Sequence, residues 1–140
     1  MFIRITEGVS VAPQISPDAV ADAAAQGFRT IVNNRPDGES HDQPPGAEIA
    51  AACAAAGLAY VAIPIDHTGF SLEQVTAMAE ALQDGPVLAY CRSGTRSCNL
   101  WALAAASHGE APDAIIAAAQ AGGYNVAGLL PLFRQLAASR

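Results

Sequence analysis

A thiol, a glycine, short hydroxyl side chains and two arginines fall together in Tyr90-Cys91-Arg92-Ser93-Gly94-Thr95-Arg96-Ser97. The run follows the apolar Pro86-Val87-Leu88-Ala89 and precedes an apolar, Ala-rich segment. That order predicts a cysteine leaving a strand, then a tight turn, then a helix N-terminus. Backbone N–H groups converge at such a terminus and the helix dipole is positive there. The turn therefore binds anions and favours the thiolate form of a cysteine placed in it. Arg96 adds a planar cationic fork that holds a tetrahedral oxyanion or a persulfide through paired hydrogen bonds. Gly94 supplies the backbone freedom the loop needs. Arg92, Ser93, Thr95 and Ser97 complete a candidate anion-binding loop around Cys91 as nucleophile. A lone strand-end cysteine reads as packing. One that shares a single turn with these neighbours reads as a site.

Two further polar segments end predicted strands. Asp66 follows Tyr60–Ile65, and an acid placed there protonates a leaving group after thiolate attack. The other reading is that Asp66 only orders its loop. His67 beside it reads as a loop residue with a lesser claim to proton transfer. Asn33, Asn34 and Arg35 end another strand, where Asn34 and Arg35 are candidates for the rim of the anion loop. Arg35 is equally able to pair with Asp37. Cys98 is read as core or as a resolving thiol for Cys91, and Cys53 as packing. His41 and His108 carry no signal, and no Cys/His pair has metal-ligand spacing, so neither metal nor cofactor is expected.

The elements that must position these residues alternate. Strands are predicted over Val9–Gln14, Phe28–Asn33, Leu58–Ile65 and the segment before Cys91. The Leu58–Ile65 strand is read as buried. Helices are predicted over Pro17–Gln26, Gly46–Ala56, Ser71–Gln83, Ser97–His108, Pro112–Ala121 and Leu129–Ala138, with glycines at most of the breaks. Alternation of this kind implies a single α/β domain over residues 1–140, its mostly parallel sheet covered by helices on both faces. Sites in such sheets lie at the carboxyl ends of strands.

The composition narrows the partners. Half of the chain is hydrophobic (51%), lysine is absent, and the net charge is −6. No basic run suggests nucleic acid, and no apolar run is long enough to span a bilayer. The opening Met1-Phe2-Ile3-Arg4-Ile5 does not read as a signal peptide, and three irregularly spaced cysteines do not suggest a disulfide framework. A cytoplasmic protein acting on a small anion is expected.

Three stretches resemble a known bacterial family, the phosphatase-like domain of β-lactamase-hydrolase-like proteins, also called DUF442. They are Ile5-Thr6-Glu7-Gly8-Val9-Ser10-Val11-Ala12-Pro13-Gln14-Ile15, Phe28 to Glu39, and Pro86 to Ser97. The resemblance implies a fold like that of the dual-specificity cysteine phosphatases. It also implies a setting near persulfide dioxygenases and other sulfide-oxidation enzymes, which become candidate partners. One feature departs from the cysteine phosphatases, which carry Cys-x5-Arg. Cys91 to Arg96 is Cys-x4-Arg, the length of the rhodanese persulfide loop. The shorter loop makes a tighter cradle. The leading expectation is therefore a rhodanese-like sulfurtransferase, passing sulfane sulfur from thiosulfate or a small persulfide through Cys91 to a thiol or cyanide. The alternatives are a phosphatase working through a phosphocysteine, with Asp66 as acid, and a non-catalytic persulfide- or anion-binding module serving a partner enzyme.

Overall fold

The hydrophobic alternation is resolved in a computed structural model, which describes residues 1–139, as a five-stranded sheet with helices on both faces. The strands are β1 (Ile3–Thr6), β2 (Val9–Ala12), β3 (Thr30–Asn33), β4 (Ala59–Ala62) and β5 (Val87–Tyr90), in the order β1-β2-β5-β3-β4. The helices are α1 (Pro17–Ala25), α2 (Gly46–Ala56), α3 (Leu72–Ala81), α4 (Thr95–Ser107), α5 (Pro112–Ala121) and α6 (Leu130–Ala138). Only the β1–β2 hairpin is antiparallel; the β2–β5, β3–β5 and β3–β4 pairs are parallel.

Register decides where the chemistry sits. Ala12 pairs with Tyr90, Tyr90 with Asn33, and Asn33 with Ala62, so four parallel strands end level with one another. The residues that follow those ends (Gln14, Cys91, Arg35 and Asp66 among them) therefore emerge along one edge of the sheet.

Burial explains the order. The central strands β2, β3 and β5 are buried at every position, as the near-continuous apolar runs of a two-face-covered parallel sheet require. One layer packs α1 and α2 through Val20, Ala23, Ile49 and Cys53 against Ile31, Leu88 and Tyr90. On the other face α4 is the central helix, packed by α3, α5 and α6. Its stretch Leu100–Ala106 is buried throughout. Leu100, Trp101 and Leu103 contribute about 1.5–3 kcal/mol each by leaving water. The alanines allow neighbouring helices to approach closely and carry the highest helix propensity.

Several elements depart from the sequence reading. β1 was not expected; its pattern is completed only by pairing with β2, Ile3 opposite Val11. β4 is an edge strand with Ala59 and Ala62 exposed, not a buried one, because nothing pairs beyond it. The long predicted strand also stops at Ala62, before Pro64, which has no N–H for a ladder. Most relevant to the site, α4 begins at Thr95 rather than Ser97, so Arg96 belongs to its first turn.

Candidate active site

The Cys91 loop closes as a hook. The Cys91 N–H donates to the Ala12 carbonyl (3.3 Å), continuing the β5–β2 ladder by one residue. The chain then turns, and the Gly94 N–H donates back to Cys91 Sγ at 3.1 Å. Gly94 has φ 91°, a conformation that strains any residue with a Cβ. A Cβ there would also clash with the Tyr124 hydroxyl. With α4 starting at the next residue, Cys91 sits in front of a helix N-terminus, where backbone N–H groups and the positive end of the dipole favour a bound anion.

Arg96 reaches over this hook. Its Nη1 donates to the Ile65 carbonyl (2.7 Å) and to Glu39 Oε2 (2.8 Å), and its Nη2 donates to Glu39 Oε1 (2.8 Å). A guanidinium has five N–H groups. Three are engaged, which leaves Nε–H and the second Nη2–H, the adjacent pair that forms the side-on fork. Arg96 is held above its ordinary pKa first by Glu39, and the Cys91 sulfur beside it adds to the effect. The guanidinium therefore lies next to the thiol, and its side-on fork has the spacing to donate to two oxygens of one anion.

Glu39 is the residue the sequence reading missed. Its Oε2 accepts from Arg96, and its Oε1 accepts from both Arg96 and the Arg35 Nε (2.9 Å). Arg96 chiefly, then Arg35, pushes its pKa down to about 2, against the opposing effect of burial. No local sequence signal marks it, since it lies in an irregular loop 57 positions before Arg96.

The other candidates fall into two groups. Arg92, Ser93 and Thr95 are exposed on the loop, and the Ser93 and Thr95 hydroxyls bond each other at 3.0 Å. Asn34, Arg35 and Ser97 are buried. The Asn34 amide donates to the Ile63 carbonyl (2.9 Å) and accepts from the Ser97 hydroxyl (2.7 Å), tying β3, the segment after β4 and α4 together. Arg35 is engaged by Glu39, Gln14 (3.0 Å) and Ser40 (3.2 Å), while Asp37 turns instead to the Gly46 N–H at 2.8 Å. Gln14 also ties the loop from outside, its N–H donating to the Arg92 carbonyl at 3.3 Å.

Asp66 is exposed on the loop that follows Ile65, the residue whose carbonyl holds Arg96. Its carboxylate accepts from the Thr68 hydroxyl and from the Thr68 N–H (2.9 Å), and the hydroxyl contact chiefly lowers its pKa. Cys98 lies in the core of α4, its thiol pushed up to about 12 by burial first and by Cys91 second. All three cysteines are free thiols.

The family described as "Beta-lactamase hydrolase-like protein, phosphatase-like domain" matches residues 2–108. This chain belongs to that family. The Beta-lactamase hydrolase-like protein of Agrobacterium fabrum is 38% identical over 112 residues, covering 77% of this chain and 26% of that protein. The chain thus spans about a quarter of the length of the curated relatives it matches. Among solved structures, a candidate phosphatase from Neisseria meningitidis is 31% identical with a TM-score of 0.79, covering 99% of this chain and 97% of that one. Tk-PTP in its active form is 18% identical with a TM-score of 0.74, at 99% and 97% coverage, and shares the fold.

Membership of the phosphatase-like family overturns the sulfurtransferase expectation. That expectation rested on the one-residue-shorter loop, but loop length is a weak guide to chemistry. Arg96 reaches its position from the first turn of α4 and is oriented by Glu39 and Ile65, residues far away in sequence. Chain-long similarity to a candidate phosphatase outweighs a match to the rhodanese loop confined to a few residues. No helix among the described residues is long and apolar enough to cross a membrane.

Proposed function

We propose that this phosphatase-like domain hydrolyses phosphomonoesters through a phosphocysteine. The observation that carries the reading is the side-on fork of Arg96, which neither Glu39 nor Ile65 engages, beside the Cys91 sulfur that also accepts the Gly94 N–H. Two oxygens of a phosphoryl group fit that fork, and loop N–H groups ahead of α4 take the charge that develops on them. The Cys91 thiolate attacks phosphorus, the S–P bond forms and the ester P–O bond breaks. Asp66, protonated at that moment, gives its proton to the leaving oxygen. In the second half, water attacks the phosphocysteine while the Asp66 carboxylate takes its proton, releasing inorganic phosphate and the Cys91 thiolate. Asp66 turns from Thr68 towards the leaving group when substrate is bound. Glu39 and Arg35 keep Arg96 in plane without touching phosphate.

The test is hydrolysis of p-nitrophenyl phosphate and a panel of alkyl phosphates by the purified chain, with Cys91→Ser alongside. Rapid-quench mass analysis of the Cys91 peptide accompanies it. A Cys91-dependent turnover with one phosphoryl group trapped on that peptide is expected. Hydrolysis surviving in Cys91→Ser, or none across the panel with no phosphoryl trapped, defeats the reading.

A further inference from the structure

Tyr124 lies beyond residues 2–108, the part of the chain that defines the family, yet it reaches the Cys91 loop. Its hydroxyl donates to the Ser93 carbonyl at 3.1 Å. The same hydroxyl covers Gly94 so closely that only a residue without Cβ fits beneath it. Burial raises its pKa, with Cys98 and Cys91 adding to the shift, so the phenol keeps its proton and remains a donor at neutral pH.

The Ser93 carbonyl and the Gly94 N–H belong to one peptide unit. A trans peptide is planar, and its C=O and N–H point in opposite directions. Holding the carbonyl outward on Tyr124 therefore holds the N–H inward, where it meets Cys91 Sγ at 3.1 Å. Rotating that plane by half a turn would replace a donor facing the sulfur with a carbonyl oxygen, which repels a thiolate. Gly94 is the residue around which such a rotation is easiest, since its φ and ψ are least restricted.

Tyr124 is itself well anchored. Its N–H donates to the Ala119 carbonyl (2.9 Å) at the end of α5, and Gly123 (φ 91°) makes the turn. Gly122 packs tightly on Ile3 and Ile5 of β1, and Val126 just beyond is buried. The hairpin strand absent from the sequence reading thus supports the segment that carries this phenol.

We propose that Tyr124 is a positioning residue for the nucleophile, locking the Ser93–Gly94 peptide so that its N–H faces the Cys91 sulfur. The proposal rests on the Cys91 loop being the reactive anion cradle, but its test requires no turnover. In ¹⁵N-labelled protein, exchange of the Gly94 amide is compared between wild type and Tyr124→Phe, which keeps the ring and removes only the hydroxyl. The pH profile of Cys91 alkylation by iodoacetamide is measured on the same samples. Gly94 exchange should accelerate about fivefold, the size expected for losing one ordinary hydrogen bond. The alkylation profile should move to higher pH, while the Cys98 amide, bonded to the Gly94 carbonyl, keeps its protection. Wild-type exchange at Gly94, or an alkylation profile that does not move, overturns the lock. Both changes without phosphatase activity in either protein would bear on the catalytic reading and leave the lock standing.

Discussion

Glu39 spans Arg96 with both carboxylate oxygens, each 2.8 Å from a guanidinium nitrogen, although 57 positions separate the two residues. The pairing occupies the end-on edge of the guanidinium and leaves the side-on edge for an anion. Glu39 in turn is held by Arg35, so the orientation of the Arg96 guanidinium depends on the loop that carries both residues.

Glu39→Gln keeps the shape of that contact and removes its charge. Charge-assisted bonds contribute about 1.5–3 kcal/mol, and partial exposure reduces this towards 1 kcal/mol. Tungstate affinity, read by calorimetry, should therefore fall about fivefold, since 1.4 kcal/mol is a factor of ten. The fold should persist by circular dichroism. Unchanged affinity would mean that Arg96 is oriented by Ile65 alone.

The same pair makes a prediction about acid. The Glu39 pKa falls from 4.5 unfolded to about 2 folded. A depressed carboxylate contributes stability that is fully present above the unfolded value and disappears as pH falls through the folded one. The stability difference between wild type and Glu39→Gln should therefore be constant above pH 4.5 and shrink between there and about 2. After allowance for solvent screening its full size is about 1–2 kcal/mol. Urea melts across that window read it directly. A difference that grew on acidification would have the wrong sign.

The Cys91 loop was legible because all its parts are local. Cys91, Gly94 and Arg96 lie within one turn, and a strand before with a helix after is enough to aim them. The position of Asp66 after a strand end was legible too, since register brings the parallel strand ends level. Glu39 and Tyr124 were not, because their importance comes from contacts spanning 57 and 31 positions. β1 was missed for a related reason: Ile3 and Ile5 alternate over too few residues to declare a strand until β2 lies beside them. The sulfurtransferase reading failed through trust in loop length, when Arg96 is oriented by distant residues.

Asn34 distinguishes a strut from a ligand. Both of its amide functions are engaged by protein in a fully buried position. Asn34→Ala leaves the Ile63 carbonyl and the Ser97 hydroxyl without their partner, at a cost of about 2–4 kcal/mol. The expected signature is a lower midpoint in urea with tungstate affinity little changed. A large affinity loss at unaltered stability would instead put Asn34 on the anion.

Asp66 and Thr68 make the last prediction. Thr68 lowers the pKa of the very carboxyl that must be protonated to serve as acid. Asp66→Asn should reduce kcat for alkyl phosphates by about 10²–10³-fold, in the range of general acid catalysis. It should reduce kcat far less for p-nitrophenyl phosphate, whose leaving group needs little protonation. Thr68→Val removes the hydroxyl that holds Asp66, so the carboxyl pKa rises and more of it is protonated at a given pH. The alkaline limb of kcat/KM, which reports loss of that proton in the free enzyme, should then move to higher pH. The acidic limb should stay in place. A profile that moves downward, or an Asp66→Asn variant equally slow on both substrate types, would remove Asp66 from proton transfer and leave it as a loop-ordering residue.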